Sequence, residues 1–162
     1  MKNLVEDQLI SRIEPWWFVT FHYRDNHTSE DQLIGDVADL KRKLRRLIYQ
    51  ARDRSVTGAG AYRYPKMLFF HEASHQGTGQ LHTHMVLEAL PSKLNTQQAV
   101  SKLFSSDLPQ KVKALSRWKS VDIQRIVPEQ TDCRRLASYL VKQSGQAQVT
   151  LDAFNSDLGG NT

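Results

Sequence analysis

The sequence predicts an α+β fold, a ferredoxin-like or RRM-like sandwich in which helices pack on an antiparallel sheet. Three observations point there. Runs near 14–23, 66–72, 80–89 and 120–126 are rich in apolar, aromatic and β-branched residues, the composition of strands. The segment from about 29 to 53 repeats its apolar residues at helical spacing. Strands and helices do not alternate evenly, and the order strand, helix, hairpin, helix, strand, helix is that of a split βαβ arrangement.

The first strand reads Glu14-Pro15-Trp16-Trp17-Phe18-Val19-Thr20-Phe21-His22-Tyr23, and a turn-like Asp25-Asn26-His27-Thr28-Ser29 follows it. In the long helix Leu33, Ile34, Val37, Leu40, Leu44, Leu47 and Ile48 share one face. Ser29 and Gln32 have the spacing of a capping box, in which each side chain serves the other's backbone N–H. Lys41, Arg42, Lys43, Arg45 and Arg46 either track DNA phosphates or form the solvated outer surface of this helix, and the second reading is preferred. Gly58 and Gly60 mark a loop, and Gly77 and Gly79 suit the turn of a hairpin made by the second and third strands. Asn95 is expected to cap a second helix running through Val100 and Phe104. Pro128 ends the strand at 120–126, and a basic helix is expected from about 131 to 143. Past Gly145 the chain turns polar, so the expected domain is 1–145 with 146–162 a disordered tail or linker.

At 162 residues and 40% hydrophobic composition the chain fits one domain with one core. A net charge of +5 favours an anionic partner such as nucleic acid. Cys133 is the single cysteine, which excludes an intrachain disulfide and a thiolate zinc cluster. With no signal-like segment and no apolar run of ~18 residues, a cytoplasmic protein without membrane contact is expected, nuclear if its host is eukaryotic. No GxxxxGK[ST] pattern occurs, so no ATPase activity is expected from these residues.

The chemistry concentrates in Leu81-His82-Thr83-His84-Met85-Val86-Leu87. Residues i and i+2 of a strand point to the same face, so His82 and His84 project side by side, suited to one divalent cation. Glu72 ends the preceding strand, and directly opposed residues of an antiparallel pair share a face. Placing Glu72 opposite His82 or opposite His84 brings all three to one face. Two imidazoles and a carboxylate suit Mn²⁺ or Mg²⁺ and leave positions for a phosphate oxygen. His71 should point to the other face, His75 falls in the turn, and His22 is read either as core-edge packing or as a group reaching the site.

Tyr139 lies in the last helix beside Arg135, Lys142 and Gln143 at i−4, i+3 and i+4. Nearby positive charge favours a phenolate, which is a nucleophile for a phosphodiester.

Together these residues resemble the HUH endonucleases, in which two histidines flank a hydrophobic residue of the metal-binding motif; here Thr83 stands in that place, a departure from the pattern. The chain is most similar to the replication-initiator (Rep) nuclease domain of rolling-circle plasmids and circular single-stranded DNA viruses. Phe18-Val19-Thr20-Phe21 resembles the first motif, His82-Thr83-His84 the second, and Tyr139-Leu140-Val141-Lys142 the third, YxxK. The resemblance implies a five-stranded antiparallel sheet and a metal held by Glu72, His82 and His84. It further implies Tyr139 as the nucleophile that nicks origin or hairpin DNA, with Lys142 assisting and with Thr20, His22, Arg135 and Gln143 as DNA contacts. A monomeric nuclease domain working beside a helicase or polymerase is the expected setting. Single-tyrosine transposases share these features and place a Gln where Gln143 stands. A non-cleaving module that binds single strands by stacking on Trp16, Trp17, Phe21 and Tyr23 is the remaining alternative.

Overall fold

A computed structural model describes residues 13–24, 29–55, 63–74, 81–110, 118–127 and 147–158. Five strands, β1 (Pro15–Tyr23), β2 (Met67–Ser74), β3 (His82–Glu88), β4 (Trp118–Arg125) and β5 (Ala147–Leu151), form one sheet in the order β4-β1-β3-β2-β5. Every pairing is antiparallel. Helix α1 (Glu30–Ala51) joins β1 to β2, and α2 (Gln97–Lys102) lies between β3 and β4. β1 and β2 are thus parallel with β3 between them, and β3 and β4 are parallel with β1 between them. This is the split βαβ arrangement expected from the order of elements, with β5 added outside β2.

The face a residue serves follows from strand parity. Trp17, Val19, Phe21 and Tyr23 of β1, Met67 and Phe69 of β2, and Met85 and Leu87 of β3 face one way. The stripe Leu33, Val37, Leu40, Leu44 and Ile48 of α1 closes over them, joined by Val100, Leu103, Phe104 and Leu108. Each such side chain contributes roughly 1.5–3 kcal/mol by leaving water. α1 starts with the expected capping box: Gln32 N–H donates to Ser29 Oγ at 3.2 Å, and Ser29 N–H donates to Gln32 Oε1 at 3.0 Å. After α2 the chain widens into a π turn, Leu103–Asp107, closed by Leu108 N–H donating to Leu103 O at 2.9 Å. That turn delivers Leu103, Phe104 and Leu108 to the core.

The opposite face carries a smaller apolar cluster of Ile13, Phe18, Leu68, Phe70, Val86 and Ile126. Along three neighbouring strands it then changes from apolar to polar: Phe18 to Thr20 to His22, Val86 to His84 to His82, and Leu68 through Phe70 to Glu72. No helix covers this polar end among the described residues.

Three expectations are corrected. The second helix is capped by Thr96, whose side chain accepts from Ala99 N–H. Asn95 instead accepts from Trp17 Nε1–H at 2.8 Å and from Leu90 N–H at 3.0 Å, tying the loop to β1. Residues 147–151 are a paired edge strand rather than tail, and the segment after them returns to the core. Asp157 accepts from Met67 N–H at 3.0 Å and Ser156 Oγ from Phe69 N–H at 2.8 Å. Lys41 and Arg45 are not simply a solvated surface, because both reach Asp157, at 2.6 and 2.9 Å. The expected helix at 131–143, with Tyr139, Lys142, Arg135, Gln143 and Cys133, lies outside the described residues, as does His75. No described helix is long and apolar enough to cross a membrane.

Candidate metal centre

The β2–β3 register sets Glu72 opposite His82 and Phe70 opposite His84. This is one of the two pairings that parity allowed, and it delivers Glu72, His82 and His84 to one face. Each offers one ligand atom, and the three atoms lie within 4.8 Å of one another. Glu72 Oε2 is 2.7 Å from His84 Nε2 and 3.7 Å from His82 Nδ1. An ion about 2.1 Å from each ligand needs adjacent ligands roughly 3 Å apart. The Glu72–His84 pair already has that spacing, and His82 Nδ1 stands somewhat farther off at 3.7 Å. The group can hold a divalent cation.

Burial opposes ionisation of Glu72 and is the largest single influence on it. Hydrogen bonds from His82 and His84, with their charges, outweigh it and hold the carboxyl down at about 2 against an ordinary 4.5. Glu72 is therefore already the anionic ligand that a cation requires.

His84 is placed by its neighbours. Its ring stacks on Phe18 with centroids 5.4 Å apart and planes 11° off parallel. Its Nδ1 lies 3.0 Å from Thr20 Oγ1, on the strand partner that β1 sets directly opposite. A ligating histidine is commonly oriented by a partner on its other ring nitrogen. Here the Thr20 hydroxyl serves both tautomers: it donates to Nδ1 when Nε2–H points to Glu72, and accepts from Nδ1–H when Nε2 gives its lone pair to a metal. Thr20, expected as a DNA contact, thus touches a ligand directly.

His22 also lies on this face, opposite His82, with the two rings edge to face at 4.4 Å. Its Nε2 is 2.8 Å from Asp122 Oδ2, so it is a site-edge group rather than core packing. Asp122 was missed from the sequence. The alternation of Val121, Asp122 and Ile123 places it on the polar face, but only the β1–β4 register, with Asp122 opposite Thr20, brings it to the site.

His71 points to the helix-covered face as expected. It is buried, with Nδ1 2.9 Å from Thr83 Oγ1 and Nε2 3.1 Å from Asp152 Oδ2. Thr83, between His82 and His84, is thereby part of the core. Trp17, Phe21 and Tyr23 are buried in that same core and offer no stacking platform. The structure brings together Glu72, His82, His84, Thr20 and His22. No family model matches the chain, and no curated protein or solved structure matches it.

Proposed function

We propose that this chain is a metal-dependent tyrosine endonuclease and strand transferase for single-stranded DNA, of the replication-initiator kind. One observation carries the reading: Glu72, His82 and His84 converge on a sheet face that no described helix covers. That is the ligand set implied by the resemblance to the HUH endonucleases. Mixed imidazole and carboxylate ligation suits Mn²⁺ or Mg²⁺, which would polarise a scissile phosphodiester and offset its developing charge.

The chain's own residues supply the remainder. Thr20 and Phe18 fix the His84 ring, and Glu72 stays ionised. The Tyr139 phenolate oxygen attacks phosphorus, forming a Tyr–O–P bond as the P–O3′ bond breaks. The phenolic proton passes to solvent, and the departing 3′ oxygen takes one up. The products are a 5′-phosphotyrosine adduct and a free 3′-OH, and the reverse reaction rejoins the ends. Arg135 and Lys142, three or four residues from Tyr139, favour the phenolate and hold the phosphate. His22 and Gln143 contact the strand beside it.

Glu72 in the ligand group favours the initiator over the transposase reading, because the acidic ligand comes from β2 and Gln143 is not needed to complete the set. Burial of Trp17, Phe21 and Tyr23 weighs against a purely stacking module. The origin DNA would be the substrate, and a helicase or polymerase the partner at the freed 3′ end.

The test is adduct formation on 3′-labelled single-stranded oligonucleotides with Mn²⁺. A denaturation-resistant labelled protein band is expected, lost with EDTA and lost in Tyr139→Phe. A band that persists in Tyr139→Phe places the nucleophile elsewhere. DNA binding without any band in a diverse oligonucleotide pool overturns the nuclease reading.

A further inference from the structure

On the helix-covered side of the sheet, at its β2–β5 edge, α1 and the segment after β5 enclose a cleft of about 500 Å³. Lys41, Arg42, Arg45 and Arg46 recur along one stripe of α1, and Tyr64 and Phe154 complete the wall. Two features set this place apart from an ordinary charged helix surface. The first is charge. Lys41 and Arg45 share Asp157, and Arg42 pairs with Asp39, so four cations face two carboxylates. The second is aromatic exposure. Phe154 is 88% exposed, Tyr64 is 40% exposed, and the Arg45 guanidinium lies 5.3 Å from the Tyr64 ring centroid. A solvated helix face needs no exposed phenyl ring, whereas rings interleaved with guanidinium groups are what a phosphate chain with unstacked bases requires.

We infer that this cleft is a second contact for single-stranded DNA, Arg42 and Arg46 holding phosphates and Phe154 and Tyr64 stacking unpaired bases of the flanking strand. This rests on the proposed single-strand substrate. A strand leaving the histidine pair on β3 crosses β2 and β5, two strand spacings or about 10 Å, and then rounds the sheet edge to reach α1 on the other face. Asp157 holds Lys41 and Arg45, and Lys41 also donates to Asn155 O, so these two cations of the cleft wall are set before DNA arrives.

The experiment is fluorescence anisotropy of a 3′-fluorescein, mixed-sequence single-stranded oligonucleotide with the full chain, in EDTA and over a range of salt. In the double variant Arg42→Glu/Arg46→Glu the slope of log affinity against log salt should fall by about 1.4, two phosphate contacts at ~0.7 each. Phe154→Ala should weaken binding about tenfold, the loss of one stacked base. Both should keep the wild-type melting temperature and Mn²⁺ affinity, since all three side chains are exposed and remote from the triad. Wild-type affinity and slope in both variants overturn the inference, as does displacement by polyglutamate as readily as by oligothymidylate. Cleft-dependent binding without a Tyr139 adduct keeps the cleft and refutes the nuclease. An adduct with no dependence on the cleft does the reverse, and a chain that binds no single strand removes both.

Discussion

His71 and Glu72 are consecutive in β2, stand on opposite faces of the sheet, and each belongs to a histidine–carboxylate pair. On the helix-covered face, both nitrogens of His71 are engaged by Thr83 and Asp152. Asp152 is itself held by the backbone N–H and side-chain amide of Asn155, at 3.0 and 2.6 Å. Every donor there meets an acceptor away from water, so the pair is a structural clasp. On the open face, Glu72 answers two imidazoles, and His82 keeps a quarter of its side-chain surface exposed. The chemical groups are nearly the same. What separates a clasp from a group that could hold a metal is a second histidine on the same face and, among the described residues, no helix over it.

The sharpest test of this contrast is His82→Ala. Removing a direct ligand should lower Mn²⁺ affinity, read by calorimetry, by more than the ten- to hundredfold that loss of an outer partner costs. The fold should be little affected because the ring lies at the sheet surface outside both apolar clusters. Unchanged Mn²⁺ binding would place the ion elsewhere. The converse variant, His71→Ala, should cost about 3 kcal/mol by leaving buried Asp152 without its histidine partner and opening a cavity, a drop in melting temperature of roughly 10 °C. Mn²⁺ affinity should survive it. Loss of metal binding with little loss of stability would reverse the assignment of the two faces.

Thr20→Val is subtler. It preserves shape and removes the hydroxyl that serves both tautomers of His84, so Mn²⁺ affinity should fall tenfold to a hundredfold with the melting temperature nearly constant. A further test concerns acid. Glu72 is held at about 2 in the folded chain against an ordinary 4.5, so the unfolded chain binds this proton more tightly. The stability Glu72 contributes is therefore complete above about pH 4.5 and is lost as pH falls towards 2. The difference in melting temperature between wild type and Glu72→Gln should shrink across that window. A constant difference would mean that the imidazoles do not stabilise the carboxylate.

Much of this arrangement is legible in the sequence because it depends on short periods. The two-residue spacing of His82 and His84 forces them onto one face, and the parity of antiparallel pairing adds Glu72. The Ser29–Gln32 box and the Leu33-to-Ile48 stripe define α1 from local pattern alone. What escapes is decided by contacts far apart in the chain. Ala147-Gln148-Val149-Thr150-Leu151 alternates apolar and polar residues over only five positions, too short to stand out from the polar stretch around it, and it becomes a strand because the edge of β2 offers it a ladder. Asn95 resembles a helix cap, yet the indole of Trp17, 78 positions away, claims its oxygen. Lys41 and Arg45 read as solvent-facing because nothing nearby announces that Asp157 will fold back onto them. Asp122 alternates correctly, but its relation to His22 appears only once β4 lies against β1.

The position of β3 has a thermodynamic consequence. It is flanked by β1 and β2, so His82 and His84 belong to the most interior strand of the sheet, with neither edge free. Fraying, which begins at edge strands such as β5, leaves their geometry intact, and the imidazoles separate from Glu72 only when the β2–β3 ladder itself opens. An ion bound there would thus be linked to cooperative unfolding of the sheet. At a free concentration a hundred times its dissociation constant it would add about 2.7 kcal/mol to that unfolding free energy. Slowed amide hydrogen exchange along β1, β2 and β3 would report its arrival.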